Sequence, residues 1–214
     1  MAARGKYIVV EGSDGTGKST QVELLRAFLT KQGIESIEFH EPEDTTLPIT
    51  SELRSLIKNG TVTRRAETNL LLFTAARHEI WHASAEPALA KGTWIIASRS
   101  YLSTLAYQGY AEGLSLDLIR DTTKTFTSET YMQPDATVIL AIEDETTRQS
   151  RVTSRDSSVK GDTFEQRDDS FQQRIANGYK SLARDMHIPL INADTTREML
   201  HKSIVESLKQ QAIL

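Results

Sequence analysis

The 214-residue chain contains no cysteine. Disulfide staples, thiol nucleophiles and cysteine-ligated zinc are therefore excluded. It has no apolar run near the roughly 20 residues that a membrane-spanning helix requires. Its opening "MAARGKYIVVEG" enters a strand-like run too early to leave room for a signal peptide. Positive charge is not in surplus either, since the formal net charge is −4. That balance argues against broad nucleic-acid binding and leaves room only for a local basic pocket. Neither an internal repeat nor a low-complexity segment interrupts the chain. With 38% hydrophobic and 25% charged residues the composition is that of an ordinary globular protein. The expectation is a soluble, cytoplasmic protein with neither nucleic acid nor a membrane as partner.

What the chain does contain is alternation. Apolar strand-like runs at Tyr7–Val10, Ser36–Phe39, Thr93–Ala97, Ala136–Ile142 and Pro189–Ile191 are separated by helical patterns. The helices are expected at about Lys18–Lys31, Thr50–Lys58, Glu67–Ala83, Leu116–Thr127, Thr146–Arg155, Asp169–Asp185 and Thr196–Gln211. Strands so continuously apolar suit a parallel sheet covered on both faces. The pattern predicts one α/β domain over residues 1–214. One segment, Thr153–Asp169 ("TSRDSSVKGDTFEQRDD"), has almost nothing to bury. It reads either as a solvated loop or as a mobile lid over a charged ligand.

The stretch "YIVVEGSDGTGKST" carries the chemistry. Gly12, Ser13, Asp14, Gly15, Thr16, Gly17, Lys18 and Ser19 fit G-x-x-x-x-G-K-[ST], placed between a strand and a helix as that motif requires. Its glycines let backbone N–H groups turn inward around an anion, and the following helix adds its unpaired N–H groups and positive dipole end. Lys18 supplies a point charge for a transferring phosphoryl group. The Ser19 hydroxyl is the candidate ligand for Mg²⁺, and Thr20 completes the nucleotide-binding turn. A base-reading N-K-x-D is absent, which excludes a switch GTPase. The run "TWIIASRS" ends in Ser98-Arg99-Ser100 and not in the acid of a motor ATPase. A kinase acting on a small phosphorylated acceptor remains.

With "HEPEDT", "ETNLLLFTAARH" and "SRSYLSTLAYQG" following in order, the chain resembles the thymidylate kinase family over most of its length. The corresponding family forms are near T-R-E-P-G-G-T, E-x-x-L-L-L-F-A-A-D-R and D-R-Y-x-x-S-x-x-A-Y-Q-G. The resemblance implies a three-layer α/β/α P-loop kinase fold with a central five-stranded parallel sheet and a helical lid at about residues 148–168. It also implies ATP-dependent phosphorylation of dTMP, with Mg²⁺ and a homodimer. In that family Phe73 corresponds to the residue that stacks on the base, and Arg77 to the one that hydrogen-bonds a base carbonyl. Arg99 and Arg54 correspond to clamps on the acceptor phosphate. Tyr107 and Gln108 match sugar and base contacts; Glu41, Pro42, Ser103 and Thr104 complete the implied acceptor site. Asp14 is implied to accept a hydrogen bond from the acceptor 3′-hydroxyl. Arg151 and Arg155 are the implied catalytic lid arginines, with Arg148 a third; Asp162 and Glu165 match a lid D-x-x-E element.

Three departures stand out. Ser98 replaces the usual acid before Arg99, His40 the usual arginine before Glu41, and Ala76 the usual acid before Arg77. The first removes a carboxylate that would help hold Mg²⁺, a duty then expected of Glu11, Glu41 or Asp162. Two other readings stay open on sequence alone. One is a deoxynucleoside kinase, which the missing acid disfavours because a hydroxyl acceptor needs a base. The other is a nucleotide-binding protein that has lost its chemistry.

Overall fold

The computed structural model describes residues 3–154, Phe164 and residues 167–214. Five strands form one all-parallel sheet: β1 (Tyr7–Gly12), β2 (Ser36–Phe39), β3 (Trp94–Ala97), β4 (Ala136–Ala141) and β5 (Leu190–Asn192), in the order β2-β3-β1-β4-β5. Strand β1 sits at the centre, with Val9 beside Ala97 of β3 and Gly12 beside Leu140 of β4.

Side-chain alternation on the strands builds two separate cores, the signature of a three-layer arrangement. Tyr7, Val9, Ile95, Ala97 and Ile139 point to one side, where they meet Leu70, Ile80, Trp81, Phe171 and Tyr179. Ile8, Val10, Ile96, Val138 and Leu140 point to the other and pack on Val22, Leu25, Leu29, Leu200 and Ile204. The expectation of strands buried on both faces holds for β1 and fails at the edge. In β5, Leu190 is 44% exposed, because an edge strand has a neighbour on one side only.

Helices α1 (Lys18–Lys31) and α9 (Asp169–Asp185) run as expected. So, within a few residues, do α2 (Pro48–Lys58), α6 (Leu116–Phe126) and α10 (Arg197–Gln210). Helix α3 (Ala66–Ile80) does not stop near Ala83: a π-helical turn, Trp81–Ala85, carries it into α4 (Glu86–Ala90), which has Pro87 in its first turn. There Pro87 has no need of an N–H donor. A second π-helical segment, Leu105–Ala111, follows the short α5 (Tyr101–Thr104). Short α7 (Glu129–Met132) precedes β4, and α8 (Glu145–Thr153) follows it. Arg155, Asp162 and Glu165 lie outside the described residues.

Candidate active site

The glycine-rich turn leaves the C-terminal end of the central strand, where open α/β sheets bind ligands. Gly12 is required by a close approach: a Cβ there would lie 2.3 Å from the Leu140 carbonyl oxygen of β4. Gly17, with φ of 86°, caps α1 without any side-chain hydrogen bond. The capping residue therefore offers no side-chain acceptor to the first N–H groups of that helix, as an anion cradle demands. Within the turn Thr16 Oγ1 and Lys18 Nζ each donate to the Ser13 carbonyl, both at 2.8 Å.

A cavity of about 250 Å³ opens beside the turn. At the turn it is lined by Asp14, Lys18 and Ser19, along its far wall by Phe73, Arg77 and Gln108, and between them by Arg54, Arg99, Ser103, Thr104 and Tyr107. Glu41 and Pro42 line it too. Every acceptor-site residue expected from sequence thus faces one space. Thr20 does not line it, lying one position further along α1.

Asp14 is the hinge between the two halves. Its Oδ1 pairs with Arg99 Nη2 and lies 3.8 Å from Lys18 Nζ, while its Oδ2 accepts from the Tyr107 hydroxyl at 3.0 Å. The apparent cost of a carboxylate beside a phosphate cradle is offset by these cations. Burial disfavours the Arg99 charge, but Asp14 with Tyr107, Tyr179 and Glu11 outweighs it and raises the guanidinium above its ordinary range. Arg99 also donates to Ser103 Oγ at 3.0 Å and lies over the Tyr107 ring.

At the far wall, Arg77 is 1% exposed. Its Nη2 donates to Glu41 Oε2 at 2.8 Å and Thr104 Oγ1 at 3.0 Å, and Tyr131 donates to Glu41 Oε1 at 2.6 Å. Arg77 Nη1 is buried and has no hydrogen-bond partner among the described residues. Gln108 donates through Nε2 to Glu112 at 3.1 Å, so its orientation is fixed with the amide nitrogen turned to protein. Phe73 packs at 6.1 Å against Phe164, which also meets Tyr107 edge-on.

Of the expected metal helpers, Glu11 and Glu41 are otherwise engaged, and Asp162 lies outside the described residues. Glu11 is fully buried and accepts from Ser100 N and Oγ at 2.6 and 2.9 Å, from Ser103 N and Oγ at 3.2 and 2.8 Å, and from Tyr179 OH at 3.0 Å. It is a structural anchor for the turn after β3, and Glu41 is held by Arg77 and Tyr131. Among the described residues, no group of three or more His, Asp or Glu side chains is placed to hold a metal. Sequence reasoning missed a link between two of the departures: His40 Nδ1 and Ser98 Oγ hydrogen-bond at 3.0 Å. Burial holds the His40 imidazole below its ordinary pKa, and Arg54 and Arg99 push the same way.

From α8, Arg148 is buried, paired with Glu145, and donates from Nη1 to the Asp14 carbonyl at 3.2 Å. Arg151 turns elsewhere: it donates to the Ala193 carbonyl at 2.8 Å, just past β5, and approaches Asp194 at 3.7 Å. Both residues belong to α8, which ends at Thr153.

A family model described as thymidylate kinase matches residues 10–204. The chain is 33% identical over 207 residues to a protein named thymidylate kinase from Halothermothrix orenii, covering 96% of this chain and 97% of that one. It is 34% identical to the thymidylate kinase of Exiguobacterium sibiricum, over 95% of this chain and 94% of that one. A crystal structure of thymidylate kinase from Ehrlichia chaffeensis superposes with a TM-score of 0.73 at 24% identity, covering 96% of this chain and 99% of the other. At that identity the likeness speaks for the fold.

Proposed function

From the premise that the chain belongs to the thymidylate kinase family, we propose how its residues carry out the ATP-dependent phosphorylation of dTMP to dTDP. The observation that carries the reading is Asp14 bridging Lys18 and Arg99 across a single cavity. Two polyanions can meet there only if several cations converge on the gap between them.

The glycine-rich turn and the start of α1 bind the ATP triphosphate through backbone N–H groups, with Lys18 following the γ-phosphoryl. Arg99 and Arg54 hold the acceptor phosphate. An acceptor-phosphate oxygen attacks the γ-phosphorus, the bond to the β,γ-bridging oxygen breaks, and ADP leaves. Arg151, anchored at the Ala193 carbonyl, lies along the adenine side. Arg155, by resemblance, spreads the developing charge on the transferring group, within one kinase domain whose lid covers about residues 148–168.

Mg²⁺ fits this donor set as an ion carried by the nucleotide, and the exposed Ser19 hydroxyl would be the side chain that holds it. Its contribution when bound would be to neutralise part of the phosphate charge.

Base recognition rests on complementary edges. The unpartnered Arg77 Nη1 is a donor for a carbonyl, and Gln108, its amide nitrogen turned away to Glu112, offers a carbonyl to a ring N–H. Thymine and uracil present that pattern; cytosine presents the reverse. Phe73 stacks on the ring, and Tyr107, near the sugar, disfavours a 2′-hydroxyl. Asp14 exchanges its bond to Tyr107 for the acceptor 3′-hydroxyl.

Ser98, 1% exposed and tied to His40, offers no carboxylate base for a sugar hydroxyl, which weighs against the deoxynucleoside kinase reading. Exposed Leu71 on α3, with Leu118 and Phe126 on α6, supports pairing of two copies as a homodimer. No helix among the described residues is long and apolar enough to cross a membrane, in keeping with a cytoplasmic enzyme. The deciding experiment is an ADP-release assay with ATP and a panel of nucleoside monophosphates alongside thymidine. Turnover of dTMP above dCMP and thymidine supports the reading; turnover of thymidine alone overturns it.

A further inference from the structure

Arg54 is not the only cation that α2 sends to the cavity. Lys58, one turn further along the same helix face, lines it together with His40, Arg54, Ser98 and Arg99. In sequence Lys58 reads as an ordinary lysine in the last turn of a helix, placed to complement the dipole. The cavity gives it a second meaning.

His40 marks where the charges converge. Its imidazole reaches across to Ser98 at 3.0 Å. Arg54 from α2, Arg99 from the end of β3 and Lys58 from the end of α2 all bear on that ring and favour its neutral form; Glu41, its chain neighbour, opposes them. Three cations thus surround a pair of neutral polar side chains. Arg54 Nη1 pairs with Glu43 Oε2 at 2.7 Å, and Arg99 with Asp14. An acceptor phosphate carries close to two negative charges at neutral pH, so a seat on which several cations converge suits it. Lys58 shares the cavity with Lys18, which the glycine-rich turn holds 2.8 Å from the Ser13 carbonyl.

We propose that Lys58 is the third cation of the acceptor-phosphate seat, closing on the 5′-phosphate of the nucleoside monophosphate beside Arg54 and Arg99. This rests on the kinase reading above and goes beyond it in naming a residue that binds the acceptor's charge and not its base. Its action requires only that the ammonium reach the cavity, whatever it pairs with before the acceptor arrives. As a flexible point charge it can follow the phosphate where the planar forks of Arg54 and Arg99 cannot.

The test separates phosphate binding from nucleoside binding. Dissociation constants for dTMP and for thymidine, which lacks the phosphate, are measured by calorimetry on the wild type, Lys58→Met, Lys58→Arg and Lys124→Met. The last removes one positive charge from exposed α6, where Lys124 pairs with Glu129. Removing a charge-assisted contact is expected to weaken dTMP binding about tenfold or more. Thymidine binding, and the KM for ATP, should stay within about twofold of wild type, which a general loss of structure would not allow. Lys58→Arg is expected to recover most of the affinity, and Lys124→Met to change nothing. Equal weakening of dTMP and thymidine by Lys58→Met overturns the proposal, as does unchanged dTMP binding. Failure of the wild type to prefer dTMP over thymidine would instead count against the kinase reading itself.

Discussion

The buried pair between Arg77 and Glu41 allows stability and recognition to be separated. Glu41 is 4% exposed and Arg77 1%. Glu41→Gln keeps the volume but removes the charge that the guanidinium faces through contacts of 2.8 to 3.1 Å. Truncating one partner of a buried ion pair leaves the other charge uncompensated, at a cost of about 3–5 kcal/mol. In a chain of this length each kcal/mol moves the melting temperature by about 2–4 °C, so a fall of roughly 6–20 °C is expected. Arg77→Met should cost a similar amount, because it strands Glu41 with Tyr131. The double variant Glu41→Leu with Arg77→Met, however, should recover much of the loss, since an apolar replacement of both partners is close to neutral. Recognition should not recover: without the guanidinium the double variant loses dTMP affinity while its KM for ATP holds. Calorimetric melting and initial-rate kinetics on the four proteins decide. A double variant that melts no higher than the single variants, or dTMP affinity restored along with the fold, would refute this account of the far wall.

Lys18→Ala should lower turnover on the order of a thousandfold with only a mild change in acceptor affinity; pre-steady-state phosphoryl transfer reads this directly, and an intact rate contradicts it. Phe73→Ala should raise the KM for dTMP, leaving that for ATP alone, and an effect on both would make it a core residue only. Ser98→Asp restores a carboxylate beside His40 and should lower the Mg²⁺ concentration needed for half-maximal rate; an unchanged requirement would mean that the acid is not missed. Burial raises Tyr7, Tyr131 and Tyr179 well above their ordinary pKa, with Glu41 or Glu11 adding to it. The folded state then holds protons that the unfolded chain releases near pH 10, so stability is full below that pH and declines above it. Tyrosinate absorbance should accordingly show these residues ionising only with unfolding, and a smooth titration of every tyrosine in the folded protein would contradict it.

Much of this was legible in the chain because the relevant signals are local. The Gly12–Ser19 spacing, the apolar run before it and the helical stripe after it all lie within one stretch of sequence, and each followed the expected geometry. Arg99 was legible for a similar reason: it lies two residues past the end of a buried strand. Glu11 was not, because its partners Ser100 and Tyr179 lie 89 and 168 residues away, and a carboxylate next to a phosphate turn suggests a metal ligand until those donors are seen. The link between His40 and Ser98 crosses 58 residues and joins two positions that each looked like a separate loss. The π-helical segments escaped because a periodicity of 3.6 residues describes their neighbours, while the widened turn at Leu105–Ala111 is set by packing. That turn presents Tyr107 and Gln108 to the cavity, so the least regular element carries two of the expected acceptor contacts.

The central claim is that donor and acceptor share one cavity, with Lys18 at one end of the phosphate chain and Arg99 at the other. A single molecule joining adenosine to deoxythymidine through a chain of phosphates measures this most directly. Its inhibition should be competitive against both ATP and dTMP, with affinity exceeding that of either nucleotide alone. Competition against only one of them, with the other still binding to the inhibited enzyme, would mean that the two cations serve separate sites.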